Sequence, residues 1–456
     1  MKRRRSIQIL STTQIIMLSF LGLILVGSLL LSLPICWAEG MTVSYIDALF
    51  TATTATCVTG LVTLPTATAW NTVGQIVILV LIQVGGLGII TVLTGVMVAL
   101  NRRMSLSERI LLQDTFNLTS QSGLSDFVKR VILGTAVVEA IGALLYMTVF
   151  IPRLGVKGIW VSVFTAISAF CNAGMDILGE NSLLDYATHP TVNVVTMLLV
   201  VLGGLGFPVW WDVLRVTEKA FRKKRIRFLS HLTLHSKMAL SATTVLVFGG
   251  GFLIFLFELA NPATLGSMPL VAKIQVALFQ SVTTRTAGFA TVDQSALTPA
   301  TTVLSLLLMF VGGSTAGTAG GAKTVTMMVL AAYAVSTIRG RTEVTLFHRR
   351  IPNDILRKAV AVAGMSFLIT AVSTLLLCAV IPSANLVDIL YETISATATV
   401  GLSRNLTSSL PLIGKIIIIV TMFLGRIGPI SLAVAFVVKR EKQNAVSHPE
   451  ESVSVG

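Results

Sequence analysis

Long apolar stretches alternate with short polar ones along the whole chain. Eight of the apolar stretches are long enough to cross a membrane as helices at about 1.5 Å per residue. They form four consecutive pairs: 15–33 and 73–100, 127–151 and 192–214, 238–259 and 303–338, 360–381 and 413–438. The pattern predicts eight membrane-spanning helices.

A shorter apolar stretch, rich in Ser, Thr and Ala, lies between the two members of each pair. These stretches cover residues 44–56, 158–171, 271–284 and 386–397, and each spans only about half of a ~30 Å hydrocarbon core. A glycine follows each of them: Gly60, Gly174, Gly288 and Gly401, spaced by 114, 114 and 113 residues. So regular a period predicts four tandem copies of one unit: helix, re-entrant half-helix, loop, helix.

Composition supports a membrane protein. Hydrophobic residues make up 54% of the 456 positions, only 12% are charged, and the mean hydropathy is +0.85. Soluble chains carry about a quarter charged residues, so one water-soluble core cannot bury this much apolar surface. The expected fold is an all-α membrane protein whose four helix–pore loop–helix repeats surround a central pore with pseudo-fourfold symmetry.

The net charge of +14 comes mostly from short basic clusters between the predicted repeats. Clusters of this kind follow the positive-inside rule, so they do not indicate nucleic-acid binding. All repeats then share one orientation, and both termini are expected to be cytoplasmic in a multi-pass membrane protein. The predicted organisation is a cytoplasmic N-terminus (1–14), repeat 1 (15–100), a linker (101–126), repeat 2 (127–214), a basic linker (215–237), repeat 3 (238–338), a linker (339–359), repeat 4 (360–438) and a cytoplasmic tail (439–456).

Enzymatic chemistry finds no support in the sequence. The four cysteines have no paired spacing, the five histidines are dispersed, and no phosphate-binding loop or nucleophile motif is present. We therefore expect no enzyme activity, no catalytic residue and no nucleotide site in this chain.

The segment after each half-helix suits a cation. A half-helix directs the partial negative charge of its C-terminal end into the membrane, and the following loop is expected to run extended with its carbonyls towards a central axis. Four such loops would replace the water shell of an ion, and no metal other than the transported one is expected. The twelve predicted ion-binding residues are Val58, Thr59, Gly60, Asn172, Ala173, Gly174, Thr286, Ala287, Gly288, Thr399, Val400 and Gly401. Arg285, next to the third segment, is expected to point away and pair with a carboxylate or with backbone carbonyls.

These segments and the repeat resemble the Ktr/Trk/HKT superfamily of K⁺ transporters, with the bacterial KtrB type as the best match. Members are similar to four fused K⁺-channel subunits and carry one filter glycine per repeat. The resemblance implies K⁺ uptake, Na⁺ dependence, a homodimer and control by a cytosolic, nucleotide-binding ring of the KtrA type. Gly60 stands where plant members can have serine, which favours K⁺ over Na⁺. A carrier of another solute that works by alternating access remains the alternative, because such folds bind substrate at helix breaks.

A glycine-rich stretch interrupts the second long helix of repeat 3. It reads Gly312, Gly313, Ser314, Thr315, Ala316, Gly317, Thr318, Ala319, Gly320 and Gly321. Close helix packing is one interpretation, but so many glycines disfavour a regular helix. The resemblance implies that this loop is a gate beneath the filter.

Arg426 lies in the corresponding helix of repeat 4, and an intramembrane charge indicates function unless the side chain reaches the interface. The resemblance implies that Arg426 faces the pore and contacts the gate. Lys323 can pair with carbonyls of the pore or reach the cytoplasmic interface. The glycines at 85–88 and 203–206 match the same place in repeats 1 and 2, where close helix packing is at least as good an explanation.

Charges at the starts of half-helices and in one linker leave two further questions open. Asp47 and Asp388 begin half-helices, where they are expected to act as N-terminal caps with a weak attraction for cations. The basic linker 215–237 is expected either to contact anionic lipid or to dock the regulatory ring.

Overall fold

The computed structural model describes residues 12–100, 112, 124–179, 181–223 and 228–428. The tail 439–456, the end of repeat 4, and most of the predicted N-terminus and of the linker 101–126 lie outside the described residues, as does part of the basic linker 215–237.

Repeat 1 consists of a long helix, a half-helix and a bent pair. Helix α1 covers Thr12–Leu31, and the half-helix α2 covers Tyr45–Cys57. The Ser44 hydroxyl caps α2 by accepting a hydrogen bond from the Asp47 N–H. Helices α3 (Thr72–Leu87) and α4 (Ile89–Ala99) follow, and their axes differ in direction by 93°.

Repeat 2 has the same plan. Helix α5 covers Leu124–Leu154, and the half-helix α6 covers Lys157–Cys171. Helix α7 (Pro190–Leu205) begins with a proline, whose fixed φ and missing N–H suit the first helical position. Helix α8 (Phe207–Lys223) leaves it at 98°.

Repeat 3 replaces the sharp bend by a loop. Helix α9 (Leu234–Glu258) includes a π-helical turn at Val245–Gly249. The half-helix α10 covers Leu270–Thr283. Helices α11 (Pro299–Phe310) and α12 (Thr324–Ile338) flank the glycine-rich loop, by which we mean residues 312–321.

A small β-hairpin precedes repeat 4. Strands β1 (Thr345–Leu346) and β2 (Arg349–Arg350) pair antiparallel. Helix α13 covers Asn353–Val380, the half-helix α14 covers Leu386–Ala398, and α15 covers Leu412–Ile427.

The predicted fold class and the four half-helices are confirmed, the latter to within one or two residues. The eight predicted spanning helices are not all continuous, and the interruption predicted in repeat 3 is joined by bends in repeats 1 and 2. Within the described ranges, four helices are long and apolar enough to cross a membrane, and counting each bent pair as one span raises the number to six. The breaks occur at Gly88 and Gly206, where φ is +85° and +88°, a conformation that side chains disfavour.

The half-helices form the centre of the molecule, and the long first helices form its surface. Phe50, Phe164 and Tyr391 are fully buried, and each lies ten residues before the glycine of its repeat. On the long helices, by contrast, apolar side chains are exposed, for example Leu133 (67%) and Leu375 (70%). Exposed apolar surface of this kind requires lipid as its solvent.

Candidate ion site and the loop beneath it

The three residues that end in each repeat's glycine form a short irregular segment, which we call the glycine segment (58–60, 172–174, 286–288 and 399–401). Each segment begins with a left-handed residue other than glycine. The four are Val58, Asn172, Thr286 and Thr399, with φ of 54°, 59°, 66° and 52°. In repeats 1, 2 and 4 this residue directly caps the half-helix, whereas α10 ends earlier, at Thr283.

The sign of φ alternates along each glycine segment. The first residue and the glycine are positive, and the middle residue is not. Such alternation turns successive N–H groups to one side, which leaves the carbonyls on the other. In repeat 1 the N–H of Thr59 donates to the Thr54 carbonyl (2.9 Å), and that of Gly60 to the Thr54 hydroxyl (2.9 Å). The prediction of an extended backbone is therefore wrong. The half-helix binds the N–H groups of the glycine segment, and the carbonyls of the segment do not bond to it.

The four glycine segments close into a ring. A Cβ atom added to any of the four glycines would collide with the middle carbonyl oxygen of the next repeat. The pairs are Gly60 with Ala173 (2.6 Å), Gly174 with Ala287 (2.6 Å), Gly288 with Val400 (2.8 Å) and Gly401 with Thr59. Since the last pair returns to repeat 1, the predicted ion-binding residues are brought together around one axis.

A cavity of about 290 Å³ lies on the side of the ring where the chain continues beyond each glycine, and we call it the mouth cavity. All four ring glycines line it, together with residues that follow them in each repeat, such as Leu61 and Leu402. It is large enough for several water molecules, since each occupies about 30 Å³ in the liquid. A hydrated ion therefore has room directly next to the ring.

The glycine-rich loop lies at the opposite end of the ring. The Thr318 hydroxyl contacts the Phe170 carbonyl (3.0 Å) and the Asn172 Oδ1 (3.1 Å), both at the end of α6. On the other side, Gly320 lies against the Thr399 hydroxyl, and a Cβ there would overlap it. The loop thus contacts the glycine segments of repeats 2 and 4 and covers the end of the ring that faces away from the mouth cavity.

The broken helix of repeat 2 supports this loop. The N–H of Ser314 donates to the Gly204 carbonyl (2.8 Å), and that of Thr318 to the Gly203 carbonyl (3.1 Å). The N–H of Phe207, beyond the break, donates to the Ala316 carbonyl (3.1 Å). The last carbonyls of a helix need such outside partners, so the break at Gly206 supplies the loop with its binding groups.

The glycine pairs before the breaks also pack tightly. A Cβ on Gly85, Gly203 or Gly425 would overlap the last-turn carbonyl of its own repeat's half-helix, at Thr56, Phe170 and Thr397 respectively. Close packing and a helix break therefore occur together in repeats 1 and 2.

Arg426 occupies the position that Gly86 and Gly204 hold in repeats 1 and 2. One guanidinium nitrogen donates to the Thr318 carbonyl in the glycine-rich loop (2.6 Å). The other donates to the carbonyls of Gly85 (2.5 Å) and Gly86 (3.3 Å) at the end of α3. The side chain therefore points to the loop and does not reach the interface.

The partners of two further basic side chains, Lys323 and Arg285, could not be decided from the sequence. The Lys323 Nζ donates to the Ala319 carbonyl (2.7 Å), so this side chain binds the glycine-rich loop. Arg285 is buried and points away from the ring, as predicted, but it donates to the Thr243 hydroxyl (3.3 Å). The expectation of a carboxylate or carbonyl partner is wrong, because helix α9 brings a hydroxyl to this place.

Ion pairs between distant residues were not predicted. Asp47 at the start of α2 pairs with Lys415 of α15 (2.5 Å), which joins repeat 1 to repeat 4. Asp388 pairs with Arg404 (2.7 Å). Both acids lie in the first turn of their half-helices, but the expectation that they are the caps is wrong, because Ser44 and Asn385 hold the N-cap positions. Nothing in the sequence indicated which bases the two acids meet.

Comparison with known proteins decides the family. A family model described as TrkH, cation transport protein, matches residues 3–448. The chain belongs to the TrkH cation transport family. This is a family of cation transporters, not a class of enzymes, and its members are multi-pass membrane proteins.

Two uptake proteins are similar to this chain over almost their whole length. The potassium/sodium uptake protein NtpJ of Enterococcus hirae is 39% identical over 98% of each chain. The Ktr system potassium uptake protein B of Bacillus subtilis is 38% identical over 97% of this chain and 96% of its own. The crystal structure of the potassium transporter TrkH from Vibrio parahaemolyticus shares the fold, with a TM-score of 0.75 at 16% identity over 96% of this chain and 87% of its own.

Proposed function

We propose that this chain is the ion-translocating membrane subunit of a K⁺ uptake system. The observation that carries the proposal is the closed ring in which the middle carbonyl of each repeat lies against the glycine of its neighbour. The names of two relatives, a potassium uptake protein and a potassium/sodium uptake protein, support the choice of ion.

Selectivity in this proposal comes from the backbone. The carbonyls of the four glycine segments replace the water shell of K⁺, and the transported ion is the only one they hold. The half-helices direct their negative C-terminal ends to the same place. The ring positions carry no charged side chain, so the number and spacing of oxygens discriminate between cations. A carrier that alternates between two faces would not need a ring closed by all four repeats.

The glycine-rich loop is the gate in this proposal. It covers one end of the ring, and Arg426 and Lys323 place two positive groups beside it. Ions pass when the loop withdraws from Asn172 and Thr399. Its contacts are a small number of backbone and side-chain hydrogen bonds, so a force on α11 or α12 can shift the equilibrium between the closed and the open loop.

The same proposal includes the orientation of the chain in the membrane and its partners. The mouth cavity faces the outside of a bacterial cell, and both termini are cytoplasmic. The chain forms a homodimer, binds anionic lipid through the basic linker 215–237, and is opened by a separate cytosolic nucleotide-binding ring of the KtrA type. Na⁺ acts as a coupled or activating ion. The relative named protein B of a Ktr system supports an assembly with more than one component.

Flux measurements in proteoliposomes test the proposal. The purified chain is reconstituted and K⁺ and Na⁺ influx are followed, with and without a regulatory ring, and again with residues 313–320 deleted. We expect K⁺ flux with the ring and ring-independent flux after the deletion. If the folded chain with its ring and the deletion variant are both impermeable to K⁺, the proposal is wrong.

A further inference from the structure

The second residue after each ring glycine occupies an equivalent place in all four repeats. These residues are Val62, Asp176, Ala290 and Ser403, and all four line the mouth cavity. The ring is therefore symmetric in its glycines, but the layer above it contains an acid from repeat 2 alone. This asymmetry is not visible from the spacing of the repeats.

Asp176 is held at the cavity wall in a fixed position. Its Oδ1 accepts a hydrogen bond from the Leu178 N–H (3.1 Å), and only 9% of the residue is exposed. Among the described residues that line the cavity, Asp176 is the one with an ionisable side chain. The cavity therefore carries a negative charge that no lining base offsets.

Two ionisable residues that contact the lining of the cavity have partners of their own. Glu392 lies behind the wall and accepts hydrogen bonds from the hydroxyls of Ser403 (2.7 Å) and Thr407 (2.5 Å). Arg404 is paired with Asp388 and also donates to the Gln294 carbonyl (2.9 Å). Neither lines the cavity, so Asp176 is the charge that a hydrated ion meets there.

A single charge in a cavity with low-dielectric walls raises the local concentration of counter-ions. Field lines focus through the water of the cavity, and the effect falls with ionic strength. The glycine ring below binds an ion only after it has entered this cavity. A carboxylate at the mouth therefore acts on the concentration at which transport half-saturates and not on the carbonyls that select the ion.

We propose that Asp176 binds a hydrated monovalent cation in the mouth cavity and sets the concentration at which K⁺ uptake half-saturates. This inference rests on the proposed function.

The test is K⁺ influx in proteoliposomes as a function of external K⁺. Asp176→Asn keeps the size and the hydrogen bond from Leu178 but removes the charge. We expect its KM for K⁺ to rise about fivefold, with the maximal rate within about twofold of the wild type. Asp185→Asn is the matched control, because Asp185 is an exposed acid of the same loop that is not part of the cavity lining. Raising the ionic strength with an impermeant organic cation should reduce the difference between Asp176→Asn and the wild type.

Moving the charge to an equivalent position separates electrostatics from a purely structural role. Ala290→Asp in the Asp176→Asn background should restore a low KM, and Val62→Asp is the second variant if that protein does not fold. An unchanged KM in Asp176→Asn, or a raised KM that neither relocated acid lowers, overturns the inference. A wild-type chain that passes no K⁺ with its ring overturns the proposed function instead.

Discussion

The guanidinium of Arg426 and the carbonyl oxygen of Thr318 lie 2.6 Å apart, although 108 residues separate them in the chain. The same guanidinium reaches the Gly85 carbonyl, 341 residues away. One side chain therefore joins repeats 1, 3 and 4 on the covered side of the ring. Charge-assisted hydrogen bonds of this kind are the strongest contacts that the glycine-rich loop makes.

Replacing Arg426 by alanine should increase ion flux. The change removes hydrogen bonds to a charged group, each worth about 1.5–3 kcal/mol. About 1.4 kcal/mol corresponds to a tenfold change in the equilibrium between the closed and the open loop. We expect K⁺ flux without the regulatory ring to rise by about tenfold or more. Arg426→Gln is the matched control, because it keeps one donor and loses the charge. Flux that stays at the wild-type level in Arg426→Ala would show that this contact does not hold the loop closed.

Replacing a ring glycine should reduce selectivity for K⁺. In Gly401→Ser the new Cβ overlaps the Thr59 carbonyl, and the glycine φ of +93° disfavours any side chain. We expect the K⁺/Na⁺ flux ratio to fall by at least about tenfold, since a displaced carbonyl no longer fits the ion. Gly288→Ser should behave in the same way.

Gly364→Ser is the matched control for the ring glycines. Nothing lies within 4 Å of a Cβ built on Gly364, which belongs to helix α13. We expect its K⁺/Na⁺ flux ratio to equal that of the wild type. Equal K⁺/Na⁺ flux ratios in the ring variants and in this control would show that the ring does not determine selectivity.

Replacing Arg404 by glutamine should destabilise the protein. The guanidinium pairs with Asp388 and also binds the Gln294 carbonyl and the Thr302 hydroxyl of repeat 3, and its side chain is only 16% exposed. We expect a loss of about 2–3 kcal/mol, measured as a lower apparent melting temperature in detergent.

Arg350→Gln provides the comparison for Arg404. Arg350 pairs with Glu343 (2.8 Å), but these side chains are 64% and 50% exposed. An exposed pair is worth at most about 1 kcal/mol, so the melting temperature should hardly change. A similar loss in both variants would mean that Arg404 does not join the repeats.

Acid outside the membrane should weaken the apparent affinity for K⁺. Burial raises the pKa of Asp176 to about 6, although the Leu178 N–H and the Ser182 hydroxyl oppose the shift. The carboxyl is therefore charged above about pH 6 and neutral below it. The KM for K⁺ should rise as the external pH falls from about 7.5 to about 5, and Asp176→Asn should lose this dependence. A pH dependence that persists in the variant would assign it to another group, such as Glu392 behind the cavity wall.

The sequence alone determined the repeats and the position of each half-helix. Both are local properties, because the length of an apolar stretch decides whether it can cross a bilayer and the even glycine spacing reports tandem copies. It also showed that repeat 3 is interrupted and that repeat 4 carries an unusual arginine. These features are readable because each departs from an otherwise apolar pattern.

Only the tertiary structure decided how the copies meet. Glycine permits a helix to continue or to turn, so the near-right-angle bends at Gly88 and Gly206 depend on what packs against them. The left-handed residues that begin each glycine segment, the hydroxyl that meets Arg285 and the pairing of Asp47 with Lys415 depend likewise on contacts between distant segments. Periodicity along a chain records which face each segment buries. It does not record which carbonyl, hydroxyl or charge, hundreds of residues away, will lie against that face, because only packing brings them together.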